Sequence, residues 1–562
     1  MIKTQPLSLA LLFLLACSPV VTAPTPIVAP APQQQQSTAF APVGRAQRVV
    51  LLTLDGFSAD RYAAMTQLPT FTWLQNGATA TARIIPVNPT LTSVTHTSIL
   101  TGAIPDVHGV VSNRFHLPGT PMETTTRGMD VEPDVETLID AARRAGKRTG
   151  CISFPTLNAS TQRRTCDYGV AWSMPVVEAR TITLTRADFK REWVPPTWTA
   201  RKQRRRSFSP IMRARVEWGV REITLVADVD FVAYDSTDDR TTNYDAIYVE
   251  VNGEELAPDA NGWFPLSRRA GDDLYGSWSK VLTATASLDR VTVYWGEISR
   301  NEAWPRAFKH TINDEIGFWP GDPDSDAEAD VFIQQSTRLA EHLSRVQTLA
   351  LQRMPADLVL MYLPGIDAAE HHHFDNPQVV RAAYVDADRA LNQVARQLDW
   401  SRDALVLTGD HGIHAMNAEV RMNRLLADGG FANWRAYASG SHAHLYRFGG
   451  ADDSDAVVQY LSGQPHLERV EKKSATSHRN SGDIIVYARP NVILSQTSEA
   501  PTVAAAPNPG QHGGLNHHRA LHTLFFARGA GIGAMAFGEI SQTRVARYVS
   551  QLLGMSPPSA AE

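Results

Sequence analysis

The sequence predicts an α/β fold: a three-layer domain with a largely parallel central sheet and an inserted β-rich domain. Three observations point there. Mostly apolar runs ending at an acid or a turn recur at 48–55 (RVVLLTLD), 357–363 (DLVLMYL) and 404–410 (ALVLTGD), as expected of strands buried on both faces. Helical spacing fills the stretches between them, at 134–147, 330–352 and 377–398, which is the alternation of a parallel sheet. Between 177 and 321 that alternation gives way to period-two runs at 222–230, 246–251 and 290–295, with Asn252-Gly253-type turns between them.

In chain order, residues 1–17 come first. Lys3 precedes the apolar run 7–16 (LSLALLFLLA), long enough for a signal h-region and too short to span a bilayer. The run ends LLAC, which resembles a bacterial lipobox with Cys17 as the lipidated first residue of the mature chain. The alternative is a plain secretory signal cut near Ala16 or Ala23. Either way the chain is expected to be exported, and with the lipobox used it would sit in the bacterial cell envelope, held to the membrane by lipid alone.

Residues 18–47, rich in Pro and Ala and carrying four consecutive glutamines at 33–36, read as a disordered tether. The folded part is expected as 48–176, the insert 177–321, and 322–555, with strands at 148–153, 483–488 and 521–527 and a last helix over 539–553. A chain of 562 residues with 43% hydrophobic and 20% charged residues is ordinary globular protein, and a net charge of -5 gives no sign of a nucleic-acid partner. The basic run Arg201–Arg206 reads as a solvated loop, with polyanion or lipid contact as the other reading. Besides Cys17 there are only Cys151 and Cys166, which in an oxidising compartment form a disulfide or else remain as two buried thiols.

Chemistry is concentrated in four places. Residues 88–102 (NPTLTSVTHTSILTG) read as a loop entering a short helix that Gly102 stops, which places Thr92 at the N-cap or first turn. Unpaired N–H groups and the helix dipole there favour negative charge, on an ionised hydroxyl or on a phosphoryl group facing it. A bare threonine at a helix start is usually only a cap, and it is a poor nucleophile without a base or a metal. His96 is the only base in the stretch. The other three places lie after apolar runs or ahead of one: Asp367 and His371 four apart, the adjacent pair Asp410 and His411, and His512 in a glycine-rich turn. With Asp55 these offer carboxylate and imidazole ligands suited to zinc, with manganese or iron as alternatives. His372, His373, His517 and His518 read as surface or supporting residues.

Asp55-Gly56-Phe57, the segment from Pro89 to Gly102, Pro105 to Gly109 with His108, Asp367 to His371, Asp410-His411-Gly412 and His512-Gly513 occur in the order of, and together resemble, the nucleotide pyrophosphatase/phosphodiesterase family of the alkaline phosphatase superfamily. The resemblance covers roughly 48–180 and 325–555. It implies an alkaline-phosphatase-like catalytic domain and two Zn2+ ions, one held by Asp367, His371 and His512, the other by Asp55, Asp410, His411 and the Thr92 oxygen. It also implies in-line attack by Thr92 and hydrolysis of the resulting phosphothreonine by water. Two positions depart from the family pattern. Thr95 is the nearby polar residue where the family uses an asparagine to donate to a phosphoryl oxygen, and Glu370 replaces a glycine before the metal histidine, either facing outward or as an extra supporting carboxylate.

The expected activity is that of an exported phosphodiesterase or nucleotide pyrophosphatase acting on a small phosphate ester or nucleotide-like substrate. A phosphomonoesterase would use the same atoms. A sulfatase would need a modified Cys or Ser in a Cys/Ser-x-Pro-x-Arg setting, which neither Cys151 nor Cys166 has. A reading of another class is a non-catalytic envelope-binding lipoprotein working through its insert. The sequence leaves the oligomeric state open.

Overall fold

Seven consecutive residues, Arg48–Leu54 (β1), run through the middle of the molecule with all but the first buried. The computed structural model describes residues 39–77, 79–157, 164–191, 207–221 and 224–562, together with the backbone of Gln35 and Gln36. The signal segment with Cys17, most of the tether and the basic run 201–206 lie outside the described residues.

Eight further strands build the sheet around β1: Thr79–Ile85 (β2), Thr149–Ile152 (β3), Tyr168–Ala171 (β4), Glu302–Trp304 (β5), Leu358–Leu363 (β6), Asp403–Gly409 (β7), Thr523–Gly529 (β8) and Met535–Ser541 (β9). Their order is β9-β2-β8-β7-β1-β6-β3-β4-β5, with Gln35–Gln36 added beside β9. Pairing is parallel except where β8 meets β7 and β2, and where β5 meets β4.

Alternate side chains of the central strands enter opposite cores, which makes the three layers. Val50, Leu52, Leu54, Met361 and Leu407 pack with the long helices Ala329–Arg353 and Pro377–Ala395. Val49, Leu51, Leu360 and Val406 pack instead with the helices Thr92–Thr101 (α1), Leu138–Arg144 (α2) and Arg544–Leu552. α2 starts at a capping box in which Thr137 and Asp140 satisfy each other's backbone N–H groups.

Register sets the working edge. Leu54 is paired with Leu363 on one side and Gly409 on the other, so the residues that follow these three strands leave the sheet at one level. Because β8 is antiparallel to both neighbours, the segment preceding it arrives at that same edge. Open α/β sheets place their ligands there.

The insert is β-rich: a five-stranded and a four-stranded antiparallel sheet enclose their own core around Trp218, Phe231, Phe264 and Trp295. It closes sooner than its sequence pattern suggests. β5 is already back in the central sheet, and the following helix Arg306–Glu315 buries Phe308 and Ile312 in the main core. Two other expectations are corrected. Residues 539–541, expected to begin the last helix, are the end of β9, where pairing with β2 overrides local propensity. The strand at 484–488 forms, but in a separate four-stranded sheet with Trp434–Ser439, His442–Arg447 and Leu467–Lys472. The end of the tether is also not free. Phe40 is buried, its ring 4.8–5.0 Å from those of Phe525, Phe537 and Tyr548, because one aromatic side chain offers enough apolar area to dock a segment of small residues. Cys151 in β3 and Cys166 just ahead of β4 are joined as a disulfide.

Candidate active site and metal centre

Asp55 is the first residue beyond β1, and Gly56 turns the chain with φ 68°. Its backbone N–H donates to Asp410 Oδ1 at 3.1 Å, and its α-carbon faces the backbone of Asp367. Asp367 lies in the first turn of the helix Gly365–His373, one turn before His371. Asp410 and His411 follow β7 directly, and His512 follows the short strand Gly510–Gln511, which pairs with His414–Ala415.

These elements bring the six carboxylates and imidazoles predicted from the sequence to one place. His411 Nε2 lies 3.0 Å from Asp410 Oδ2 and 3.5 Å from Asp55 Oδ1. His371 Nε2 lies 3.2 Å from Asp367 Oδ2, and His512 Nε2 lies 3.8 Å from Asp367 Oδ1. The rings of His411 and His512 stack at 3.7 Å. One donor atom from each of Asp367, His371 and His512, and likewise from each of Asp55, Asp367 and His411, falls within a span of 4.8 Å. Asp367 thus belongs to both groups.

The electrostatics call for cations. Three carboxylates converge in a buried space, and Asp55 Oδ1 and Asp367 Oδ1 have no hydrogen-bond partner among the described residues. Burial, then the neighbouring Asp410 and Asp367, push the Asp55 carboxyl well above its ordinary range, while the Tyr362 hydroxyl donates to its other oxygen at 2.5 Å. Burial would raise Asp410 too, but His411 and His96 pull it below the usual value. For His512, burial and then His411 hold the imidazole down to about 3, so it is neutral and has a lone pair to give.

Second contacts fix which nitrogen is free. His371 Nδ1 lies 3.0 Å from the Gly510 carbonyl and His512 Nδ1 lies 2.8 Å from the Thr90 carbonyl. A carbonyl only accepts, so both Nδ1 atoms carry the proton and both Nε2 atoms face the carboxylates as ligands. Carboxylate–imidazole donor sets with fixed tautomers and orphaned buried oxygens fit divalent ions of the zinc type.

Thr92 is the first residue of α1 and is almost fully buried; its Oγ1 lies 3.2 Å from His411 Nε2. His96 is not its base. His96 Nδ1 donates to the Thr92 carbonyl at 2.9 Å and Nε2 meets Thr53 Oγ1 at 3.0 Å, so both nitrogens are committed. Thr95 is enclosed as well. Its hydroxyl turns back to the Leu91 carbonyl at 3.0 Å and lies 3.3 Å from Asp410 Oδ2. Glu370 faces inward: it is fully buried, 3.6 Å from the Arg61 guanidinium, and burial raises its carboxyl to about 8.

Sequence reasoning passed over Asn113. Its Oδ1 accepts the Ser93 backbone N–H at 2.8 Å, right at the start of α1 and one residue from Thr92. The sequence cue is an asparagine four residues after Gly109, with no periodicity to mark it.

The sequence matches the type I phosphodiesterase/nucleotide pyrophosphatase family over residues 49–251 and 234–515. The chain belongs to that family. Type I phosphodiesterases and nucleotide pyrophosphatases are metal-dependent phosphoric ester hydrolases. Among individual proteins, rat ectonucleotide pyrophosphatase/phosphodiesterase family member 1 is 39% identical over 70 residues, which is 12% of this chain and 8% of the rat protein. The solved structures of murine and human ectonucleotide pyrophosphatase/phosphodiesterase 5 align with a TM-score of 0.52 at 13% and 14% identity, covering 91% of this chain and 96% of theirs. At that identity they share the fold with this member of the family.

Proposed function

We propose that the protein is an exported zinc-dependent phosphodiesterase or nucleotide pyrophosphatase with Thr92 as nucleophile. The observation that carries this is the position of Thr92 Oγ1, at a helix N-terminus and 3.2 Å from His411 Nε2 within the carboxylate–imidazole cluster. In the proposed reaction Thr92 Oγ1 forms a bond to phosphorus as the ester P–O bond breaks and the leaving group departs. Water then cleaves the phosphothreonine and restores the hydroxyl. The positive end of the α1 dipole favours the developing charge. The Asn113 NH2 is assigned to a nonbridging phosphoryl oxygen, and Thr95 to holding Asp410 rather than to touching substrate. Asp367, His371 and His512 would hold one zinc ion and Asp55, Asp410, His411 and Thr92 the other; bound there, the ions supply Lewis-acid stabilisation of attacking and leaving oxygens.

A nucleotide-like substrate is supported by a cavity of about 270 Å³ beside the ligands Asp367 and His371. Trp172, Leu339, Leu363 and Ile366 give it apolar walls suited to a flat base. A solved structure of murine ectonucleotide pyrophosphatase/phosphodiesterase 5, in an inactive form with a threonine replaced by alanine, is a complex with AMP. Export and lipidation at Cys17 are proposed on the N-terminal sequence alone.

The test is hydrolysis of a nitrophenyl phosphodiester against the matching monoester by zinc-loaded protein, with Thr92→Ala alongside. Diester preference lost in the variant supports the reading. Monoester preference would make the protein a phosphatase, and full activity in Thr92→Ala would remove Thr92 as nucleophile.

A further inference from the structure

A second cluster of metal-ligating side chains shares no residue with the active site. Glu468 lies on Leu467–Lys472, the edge strand of the separate four-stranded sheet. Its Oε1 is 3.1 Å from His517 Nε2 and its Oε2 is 2.9 Å from His518 Nε2. The two imidazole rings are 4.0 Å apart. On the far side the His414 ring meets His518 edge-on at 5.6 Å, and its Nε2 is buried without a hydrogen-bond partner. Two segments distant in sequence thus bring a carboxylate and two imidazoles to one spot, and a third imidazole packs against them.

We propose that Glu468, His517 and His518, with the His414 ring packed behind His518, bind a third divalent ion of the zinc class. An ion pair explains less of the arrangement. A single carboxylate needs one imidazolium, whereas here two adjacent imidazoles turn the same nitrogen, Nε2, onto it and a third waits unpartnered. The donor atoms of Glu468, His517 and His518 all lie within 4.8 Å of one another. Metal–ligand bonds of about 2.0–2.2 Å in a tetrahedron put ligand atoms about 3.3–3.5 Å apart, so small side-chain shifts suffice to admit an ion. A mixed imidazole and carboxylate set selects zinc-type ions over magnesium or calcium. His517 is 60% exposed, which gives the ion a way in.

The place of the cluster defines its role. His414 is three residues beyond His411, and its strand pairs with Gly510–Gln511, next to His512. His517 and His518 lie between His512 and β8. An ion here clamps the loop running from His512 to the edge strand of the smaller sheet, with the His411–His414 loop packed on it through His414.

The measurement is zinc per chain by elemental analysis on full-length protein, stripped with chelator and dialysed against zinc, for wild type, Glu468→Gln and His517→Ala. Glu468→Gln keeps the shape of the side chain, and His517 is exposed enough that its loss leaves the fold intact. The expected result is one ion fewer per chain in Glu468→Gln, and zinc affinity at that site weakened by more than about 10-fold in His517→Ala. Equal zinc content and affinity in all three proteins would overturn the proposal. So would loss of more than one ion from Glu468→Gln with His517→Ala unchanged, since that pattern reports damage to the fold.

Discussion

Gly56 touches both halves of the active site: its N–H donates to Asp410 Oδ1 at 3.1 Å, and a Cβ added to it would stand 2.8 Å from the Asp367 α-carbon. It also has φ 68°, which only glycine adopts without strain. Gly56→Ala therefore has to push the helix carrying Asp367 and His371 away from β1. The expected cost is about 2 kcal/mol or more in stability. Because a shift of about 1 Å at a reacting centre costs about 100-fold, activity should fall by a similar factor, with weaker metal retention. Kinetics together with metal content check this; normal metal retention with normal kcat would show that the contact is not needed.

Asn113 and Thr95 separate by kinetics. Loss of a donor to a developing oxyanion costs about 10²–10³ in kcat, and that is the effect expected of Asn113→Ala. Thr95 makes its contacts with the Leu91 carbonyl and Asp410, both within the protein. Thr95→Val should therefore weaken metal binding first and regain activity when zinc is raised, which Asn113→Ala should not. The reverse pattern would return the phosphoryl contact to Thr95.

The contrast shows what the sequence could reveal. β1, β6 and β7 were legible because strands buried on both faces are nearly continuous apolar runs, and the acid ending such a run emerges at the ligand-binding edge. Asp367 and His371 were legible through helical spacing. Asn113 was not, since its place beside Thr92 comes from one tertiary hydrogen bond to Ser93. The sequence left Glu370 between outward and inward because its helix packs on both sides: the Glu370 carbonyl comes so close to Gly510 that a Cβ there would meet it. Of the smaller sheet holding Glu468, the sequence showed only the strand at 483–488, for another reason. The edge strand Leu467–Lys472 is short and buried at one end only, and its pairing with 484–488 is what separates it from a loop.

Glu297 makes a pH-dependent contribution away from the active site. It is buried, and burial raises its carboxyl from 4.5 to about 7, only partly offset by hydrogen bonds from Ser299 and the Asp322 backbone. Between those values the folded chain keeps a proton that the unfolded chain releases, so stability falls as pH rises through the window and levels off above it. At about 1.4 kcal/mol per unit the loss is at most about 3 kcal/mol. Glu297→Gln has no proton to lose. Urea unfolding at pH 5, 6, 7 and 8 should show the variant gaining on wild type with each step up to pH 7; parallel curves would place the titration elsewhere.

The Cys151–Cys166 bridge ties β3, which pairs with β6 in the centre of the sheet, to the segment entering β4. With a separation of 15 residues it removes about 3 kcal/mol of chain entropy from the unfolded state. Both cysteines are buried in the core that also holds α1. Unfolding in urea with and without dithiothreitol, at a concentration that reduces the bridge, should separate the two forms by about that amount. In Cys151→Ala/Cys166→Ala the reductant should have no further effect. A reductant-insensitive wild type with intact thiol titration of both cysteines would mean that they are not paired in the folded protein, and that packing of β3 against β6 and β4 holds this edge of the sheet unaided.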